Sequence, residues 1–244
     1  MIVGLTGLIG SGKDTVADFL IKEHGFIQLS FAEGVKDALS VIFGWDREML
    51  EGKTKEHREA RNVVDEWWAK ELCIPNFTPR LGMTTFGTDI MRKHFDDDIW
   101  VLNIKNKIQK LQEKDPNINI VISDARYRNE LCMLRSIDAV LFEISRGEKP
   151  AWWTSAIGYN QCNNDFERFL YRLFLKMFKS KNNIFTENIH SSEYDWIGFD
   201  FDNTLFNNKT IEDLTKQVGL LISLKKALSV EDVYYKEGEE HICI

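Results

Sequence analysis

The sequence predicts an α/β fold in three layers, with a parallel five-stranded sheet between two sets of helices. Three observations predict it. Short apolar runs alternate with helical repeats, a glycine-rich loop joins the first run to the first repeat, and charged residues follow directly on the ends of several runs. With 244 residues, 43% of them apolar and 12% aromatic, the chain can fill one sizeable core. It reads as a single domain, 1–244, with a helical insertion at about 45–95, a second at about 150–190 and a short tail at about 224–244.

Ile2 to Thr6 is too brief for a helix and is bounded by glycine, as befits a strand buried on both faces at the centre of a parallel sheet. From Asp14 to His24 the apolar residues Val16, Phe19 and Leu20 fall at helical spacing, and Gly25 supplies a left-handed stop. Phe26 to Phe31 alternates as a second strand, and Val35, Ala38, Leu39 and Ile42 mark a helix that closes at Gly44. Residues 45–79, charged and aromatic with DEWW at 65–68, carry no strand signal and read as a partly helical excursion from the sheet. Val101, Ile104, Ile108 and Leu111 stripe a helix that KDPN ends. Ile118 to Ser123 is the third strand, Leu131, Met133 and Leu134 lie on the helix after it, and Ala139 to Ser145 is the fourth strand. Trp196 to Phe201 reads as the fifth strand, and Ile211, Leu214, Val218 and Leu221 as a closing helix.

In the second insertion, DFERFLYRLFLKMFK sets Phe166, Phe169, Leu170, Leu173, Phe174, Met177 and Phe178 at helical spacing, offset by Arg168, Arg172, Lys176 and Lys179. Such a face most often packs on its own domain; a subunit interface, giving a homodimer, and a mobile lid are the other two readings. The tail, ending in HICI, has no assignable role.

A formal charge of -7, from 31 Lys and Arg against 38 Asp and Glu, gives no electrostatic reason to expect nucleic acid or an anionic membrane as partner. Any basic site must be local. Cys73, Cys132, Cys162 and Cys243 are scattered, without metal-ligand spacing, which fits reduced thiols. No 18 consecutive apolar residues occur, and MIVGLTG has neither a basic n-region nor a cleavage site, so the expectation is a soluble, cytoplasmic protein.

The sharpest motif is GLIGSGKDT at 7–15, set between a predicted strand and a predicted helix. Gly7, Gly12 and Lys13 satisfy G-x-x-x-x-G-K, in which loop amides wrap the β- and γ-phosphates of a nucleotide and the lysine bridges them. Gly7, Ile9, Gly10, Ser11, Gly12 and Lys13 are the candidate ATP-phosphate residues. Glycine is needed where a side chain would block the phosphates or where φ is positive. The usual Ser or Thr after the lysine, which contacts Mg²⁺, is replaced by Asp14, with the hydroxyl one place later at Thr15. Asp14 and Thr15 join the ATP-phosphate candidates and are the candidate Mg²⁺ residues: Thr15 can contact phosphate, and Asp14 either holds Mg²⁺, through a bound water, or caps the helix. Small-molecule kinases of the nucleoside monophosphate group resemble this arrangement.

Phosphoryl transfer also needs cations on the acceptor side. LSFAEGVKDAL places Lys36 past strand two, TPRLGMTTFGTD places Arg80 and Thr88, DDDIW ends in Trp100, and ISDARYRNE places Asp124, Arg126 and Glu130 past strand three. Ligands of parallel sheets bind at those strand ends.

In this order and spacing the segments resemble the deoxynucleoside monophosphate kinases of T-even-like bacteriophages, over roughly residues 1–146 and again, more weakly, at the HSSE of 190–193 and the final strand and helix. The resemblance implies a P-loop kinase-type fold and transfer of the γ-phosphoryl group of ATP, with Mg²⁺, to a deoxynucleoside monophosphate for phage dNTP supply in the host cytoplasm. It implies that Lys36, Arg80, Gly87, Thr88, Trp100, Asp124, Arg126 and Glu130 line the acceptor, that Lys13, Arg80 and Arg126 are catalytic, and that Arg146 lies near the donor nucleotide. Arg92 is a further candidate. Thr84 stands where the family tends to carry glutamine, which bears on base recognition.

Three other readings compete. IVGLTGLIGSGK also resembles the opening of dephospho-coenzyme A kinase, but that family's aspartate pair after the second strand is replaced here by QLSFAEG. WIGFDFDNTLF imitates the D-x-D-x-T motif of haloacid-dehalogenase-like phosphatases through Asp200 and Asp202, yet only 38 residues follow Phe206, too few for that fold's core. The third is a regulatory ATPase in which the phosphate loop gates a partner.

Overall fold

The computed structural model describes residues 1–177, 183–184 and 189–239, with side chains described as far as residue 227. Phe178, Lys179, Cys243 and the HICI ending lie outside the described residues.

Five strands form one parallel sheet: β1 (Ile2–Thr6), β2 (Ile27–Leu29), β3 (Ile120–Ile122), β4 (Val140–Ser145) and β5 (Asn203–Phe206). Their order is β2-β3-β1-β4-β5, so the first strand lies at the centre, with Val3 level with Val121 on one side and Val140 on the other. The period-two alternation of a strand divides its side chains between two layers. Ile2, Ile120, Ile122 and Leu141 face a core shared with Ile104, Leu131, Leu134 and Trp196. Val3, Leu5, Val121 and Phe142 face the other, shared with Val16, Leu20, Leu214 and Val218. The helices that cover these faces are α1 (Lys13–His24) and α12 (Ile211–Glu239) on the second side, and α7 (Ile99–Lys114) and α8 (Arg128–Ser136) on the first. The tail expected from about 224 is therefore helical as far as Glu239.

After β2 the chain enters α2 (Glu33–Phe43) and then a series of short helices: α3 (Arg47–Glu51), α4 (Lys55–Ala60), α5 (Glu66–Glu71) and α6 (Pro79–Thr84). Each of the last four opens on a side-chain cap. Asp46, Thr54, Asp65 and Thr78 accept from Met49, His57, Trp68 and Leu81 amides, which satisfies donors that a one- or two-turn helix otherwise leaves unpaired. A π-helical stretch, Thr85–Phe95, follows and leads into α7. This insertion has its own small core of Val35, Leu39, Trp45, Leu50, Phe77 and Trp100.

The fifth strand differs from its expected place. Trp196 and Ile197 are buried, but Ile197 and Phe199 amides bond back to Tyr194 and Trp196, and Gly198 takes φ 76°, so the apolar run forms turns. Extended pairing starts only where Asp202 accepts from the Leu141 amide at 2.8 Å, just before Asn203. Asp200 and Asp202 consequently sit at the amino end of β5, the opposite edge of a parallel sheet from the loop after β1. Asp202 accepts from Arg135 at 2.8 Å as well, and Lys225 lies 3.8 Å away. This placement overturns the phosphatase-like reading of the motif.

The second insertion contains α9 (Trp153–Asn160) and α10 (Asp165–Met177). Packing of the whole apolar face of α10 on its own domain is not observed. Phe166, Phe169, Leu170, Leu173, Phe174 and Met177 are exposed, and Leu175 is the buried member among the described residues. No helix among the described residues is long and apolar enough to cross a membrane.

Partial burial pushes the Asp202 carboxyl up, but the Leu141 amide, Arg135 and Lys225 outweigh it and hold it below the usual carboxylate range. A depressed acid stabilises the fold above its ordinary pKa and loses that contribution as pH falls through the lowered one. Asp202→Ala should cost about 1–3 kcal/mol in denaturant unfolding at neutral pH, because it strands the buried Leu141 amide. The gap to the wild type should narrow in acid.

Candidate active site

A cleft of about 540 Å³ opens beyond the carboxyl ends of the central strands, between the loop after β1 and the insertion helices. The loop holds its shape because three glycines take positive φ: 145° at Gly7, 77° at Gly10 and 108° at Gly12. A Cβ on Gly7 would stand 2.3 Å from the Ile144 carbonyl oxygen, and one on Gly12 2.5 Å from Asn207 Nδ2. From the loop after β5, Asn207 donates to the Ser11 carbonyl at 2.8 Å, and from the loop after β4, Arg146 donates to the Gly10 carbonyl at 3.3 Å. Ser11 Oγ is buried without a hydrogen-bond partner. Lys13 Nζ folds back onto the Gly7 and Leu8 carbonyls at 2.7 and 2.9 Å. Burial, with the nearby Arg126 charge adding to it, pushes Lys13 down to about 8, against the pull of Asp14, Glu193 and Asp124.

No side chain caps α1, whose N-cap residue is Gly12, so the capping alternative for Asp14 is not realised. Asp14 is exposed and lines the cleft, whereas Thr15 is half-buried and outside the lining. Among the described residues no group of three or more His, Cys, Asp or Glu could hold a metal. A nucleotide-borne Mg²⁺ takes most of its ligands from phosphate and water, and a single exposed carboxylate such as Asp14 suits it.

On the facing wall the cationic and aromatic candidates converge. Lys36, Arg80, Thr84, Gly87, Thr88, Arg92, Trp100, Asp124, Arg126 and Glu130 line the same cleft as Ile9, Gly10, Lys13 and Asp14. Gly7, Ser11, Gly12 and Arg146 do not; the first three form the body of the loop. Several candidates prove to be engaged with the protein itself. Asp124 accepts from Ser30 Oγ at 2.7 Å and from the Phe31 and Ala32 amides at 3.0 and 3.1 Å, fixing the start of α2. It forms no pair with Arg126, which instead meets Glu193 of α11 (Ser191–Tyr194) at 3.0 Å. Lys36, buried, meets Glu51 at 2.7 Å, and Glu51 also accepts from Arg47. Trp100 belongs to the insertion core and donates from its indole to the Gly87 carbonyl at 2.9 Å.

Glu130 is fully enclosed. It accepts from Arg92 at 2.6 Å and from the Arg126 and Tyr127 amides at 2.8 and 3.1 Å, and the Arg92 guanidinium lies 4.3 Å over the Tyr127 ring. Burial pushes the Glu130 carboxyl up to about 7, with Arg92 and the two amides opposing.

Arg58, Arg61, Glu51, Tyr127 and His190 also line the cleft and were not among the sequence candidates. The first three lie in the charged excursion, where nothing in the apolar pattern singles them out. Tyr127 sits inside the quoted DARYRNE segment, and His190 opens the HSSE stretch; those neighbourhoods were their only signal.

A phosphate loop at the end of a central parallel strand, facing a wall of convergent cations, defines a P-loop kinase. The protein-family description "Deoxynucleotide monophosphate kinase" matches residues 53–152. A provisionally named deoxynucleotide monophosphate kinase of Acanthamoeba polyphaga mimivirus is 33% identical over 153 residues, covering 60% of this chain and 74% of the viral protein. Dephospho-CoA kinase from Campylobacter jejuni aligns in structure at 11% identity over 91% of this chain and 95% of that one, with a TM-score of 0.41. Shikimate kinase from Aquifex aeolicus aligns at 14% identity over 93% and 98%, with a TM-score of 0.35. The chain belongs to the deoxynucleotide monophosphate kinase family. It is a nucleotide-binding phosphotransferase.

The Arg92–Glu130 pair can be tested by stability. Their side chains are 8% and 3% exposed, so Arg92→Gln leaves a buried carboxylate without its cation and should cost about 3–5 kcal/mol in chemical unfolding. The double change Arg92→Met with Glu130→Gln, which removes both charges and keeps a side-chain oxygen for the Arg126 and Tyr127 amides, should cost less than the single one.

Proposed function

We propose that the protein transfers the γ-phosphoryl group of ATP to a deoxynucleoside 5′-monophosphate, giving the diphosphate. The role proposed for it is dNTP supply for DNA synthesis, as the phage resemblance implies. The observation that carries this reading is that Lys13 of the phosphate loop and Arg80 and Arg126 of the facing wall line one cleft.

The loop amides would hold the β- and γ-phosphates of ATP, and Lys13 would leave the Gly7 and Leu8 carbonyls to bridge them. When bound, Mg²⁺ supplies charge neutralisation at the phosphates, and Asp14, with Thr15 behind it, is the protein's candidate to hold it. The acceptor phosphate is ionised near neutral pH, so its oxygen can attack in line without a protein base. Arg80 and Arg126 would orient that phosphate and neutralise charge on the transferring group, Arg146 would face the donor, and Lys36, Thr84, Gly87, Thr88 and Trp100 would shape the acceptor pocket. Asp124 and Glu130 would act by fixing the loops that carry these groups.

Incubation with ATP and each of a panel of dNMPs and NMPs should give diphosphate only when an acceptor is present. ATP hydrolysis at a rate indifferent to acceptor would overturn the kinase in favour of a regulatory ATPase.

Two variables probe the loop. Because Lys13 is held near about 8, its charge fades as pH rises through that value, while bound phosphates favour the charged form. ATP affinity should therefore weaken above about pH 8 and binding there should take up a proton, which calorimetry in buffers of different ionisation enthalpy reads directly. Asp14→Ala should lower turnover by about ten- to a hundredfold with the melting temperature nearly unchanged; full turnover would remove Asp14 from the mechanism.

A further inference from the structure

Beside Arg80 the cleft wall carries two further cations, Arg58 and Arg61, that the reading above does not use. Arg58 on α4, Arg61 just past its end and Arg80 on α6 line the same cleft. None forms an ion pair with a carboxylate among the described residues. The nearby acids are already matched: Glu51 with Lys36 and Arg47, Glu130 with Arg92, and Glu193 with Arg126.

Two of the guanidinium groups, those of Arg58 and Arg80, are held in place by neutral partners. Arg58 donates to the Gly52 and Lys53 carbonyls at 3.2 and 2.9 Å, and Arg80 Nε donates to Asn62 Oδ1 at 2.7 Å. The Arg80 amide bonds the Arg61 carbonyl at 2.9 Å, which fixes the two residues side by side. The Arg61 guanidinium packs against Gly52, where a Cβ would come within 2.1 Å of its Nη2 and displace it from this position. Its Nε is buried without a hydrogen-bond partner. Burial, then Arg80, then Arg58 push the Arg61 guanidinium below its ordinary range, with Glu51 the opposing charge. A guanidinium does not escape such crowding by losing its proton. It needs an anion.

We propose that Arg58 and Arg61 join Arg80 in an anion subsite for the phosphate monoester of the acceptor, and that this subsite makes the enzyme select nucleotide over nucleoside. The inference rests on the kinase reading and adds two binding residues to it. A phosphomonoester offers up to two negative charges and three terminal oxygens, which planar guanidinium forks engage two at a time. Neutral acceptors offer nothing to offset the repulsion.

Direct titration tests this without turnover. The four dNMPs, the four matching deoxynucleosides and ATP are titrated against the wild type, Arg61→Gln and Arg58→Gln, with melting temperatures recorded. For the dNMP that binds the wild type best, Arg61→Gln should weaken binding by about tenfold or more and Arg58→Gln by about three- to tenfold. Deoxynucleoside and ATP affinities should hold, and the Arg61→Gln melting temperature should stay or rise as like-charge repulsion is relieved. Equal loss for nucleotide and nucleoside, or no loss for either, would overturn the subsite. Wild type that binds dNMP phosphate-selectively but forms no diphosphate would sink the kinase reading and leave the subsite standing; wild type that binds no dNMP would sink both.

Discussion

The geometry of the cleft hangs on the enclosed carboxylate of Glu130. Placed in the first turn of α8, it accepts two amides that the helix start and the preceding loop would otherwise leave unpaired, and it binds Arg92 from the π-helical stretch. One side chain thus ties the insertion to the loop that carries Arg126. Burial works against it, and the three donors offset part of that penalty. An enclosed pair of this kind adds little net stability, but it leaves few other ways for the two segments to meet. Asp124 performs the same service one strand away, joining the end of β3 to the start of α2.

This arrangement separates two jobs that the charges read along the sequence would merge. In the wall of the cleft Glu51, Asp124 and Glu130 bind protein donors, while Arg58, Arg61 and Arg80 pair with no carboxylate among the described residues. The formal charge of -7 therefore says little about the site, because the surplus acid lies elsewhere on the surface. What matters to an incoming phosphate is the local count within a screening length, and there the cations prevail.

The sequence is most legible where structure is periodic. β1, α1, β4 and α7 lie within a few residues of their expected bounds because strands buried on both faces and striped helices have patterns of their own. Trp196 to Phe201 was misread because burial alone resembles a central strand; Gly198 and the turn hydrogen bonds that follow from it decide the conformation. The insertion is legible as a partly helical excursion but not in its separate helices. Its short helices contain too few residues for an apolar stripe, and their signal is the set of caps at Asp46, Thr54, Asp65 and Thr78. Of the site, the phosphate loop and the residues just past strands could be read directly. Arg58 and Arg61 could not, because their place beside Arg80 depends on how α4 and α6 pack and on the bare surface of Gly52.

Like charges in this cleft also bear on its energetics. After burial itself, the Arg126 charge lowers the proton affinity of Lys13, and the Arg80 and Arg58 charges lower that of Arg61, a cost the folded chain carries with nothing bound. Carboxylates placed among them would relieve the repulsion and also occupy the space a phosphate needs. Among the described residues Arg58, Arg61 and Arg80 pair with no carboxylate, although acids a few residues away pair readily, and this is the pattern expected where stability yields to ligand affinity. In the proposed reading a triphosphate relieves the first group and a monophosphate the second. Each nucleotide would then stabilise the fold by more than its own contacts, because binding also discharges repulsion already present in the empty cleft.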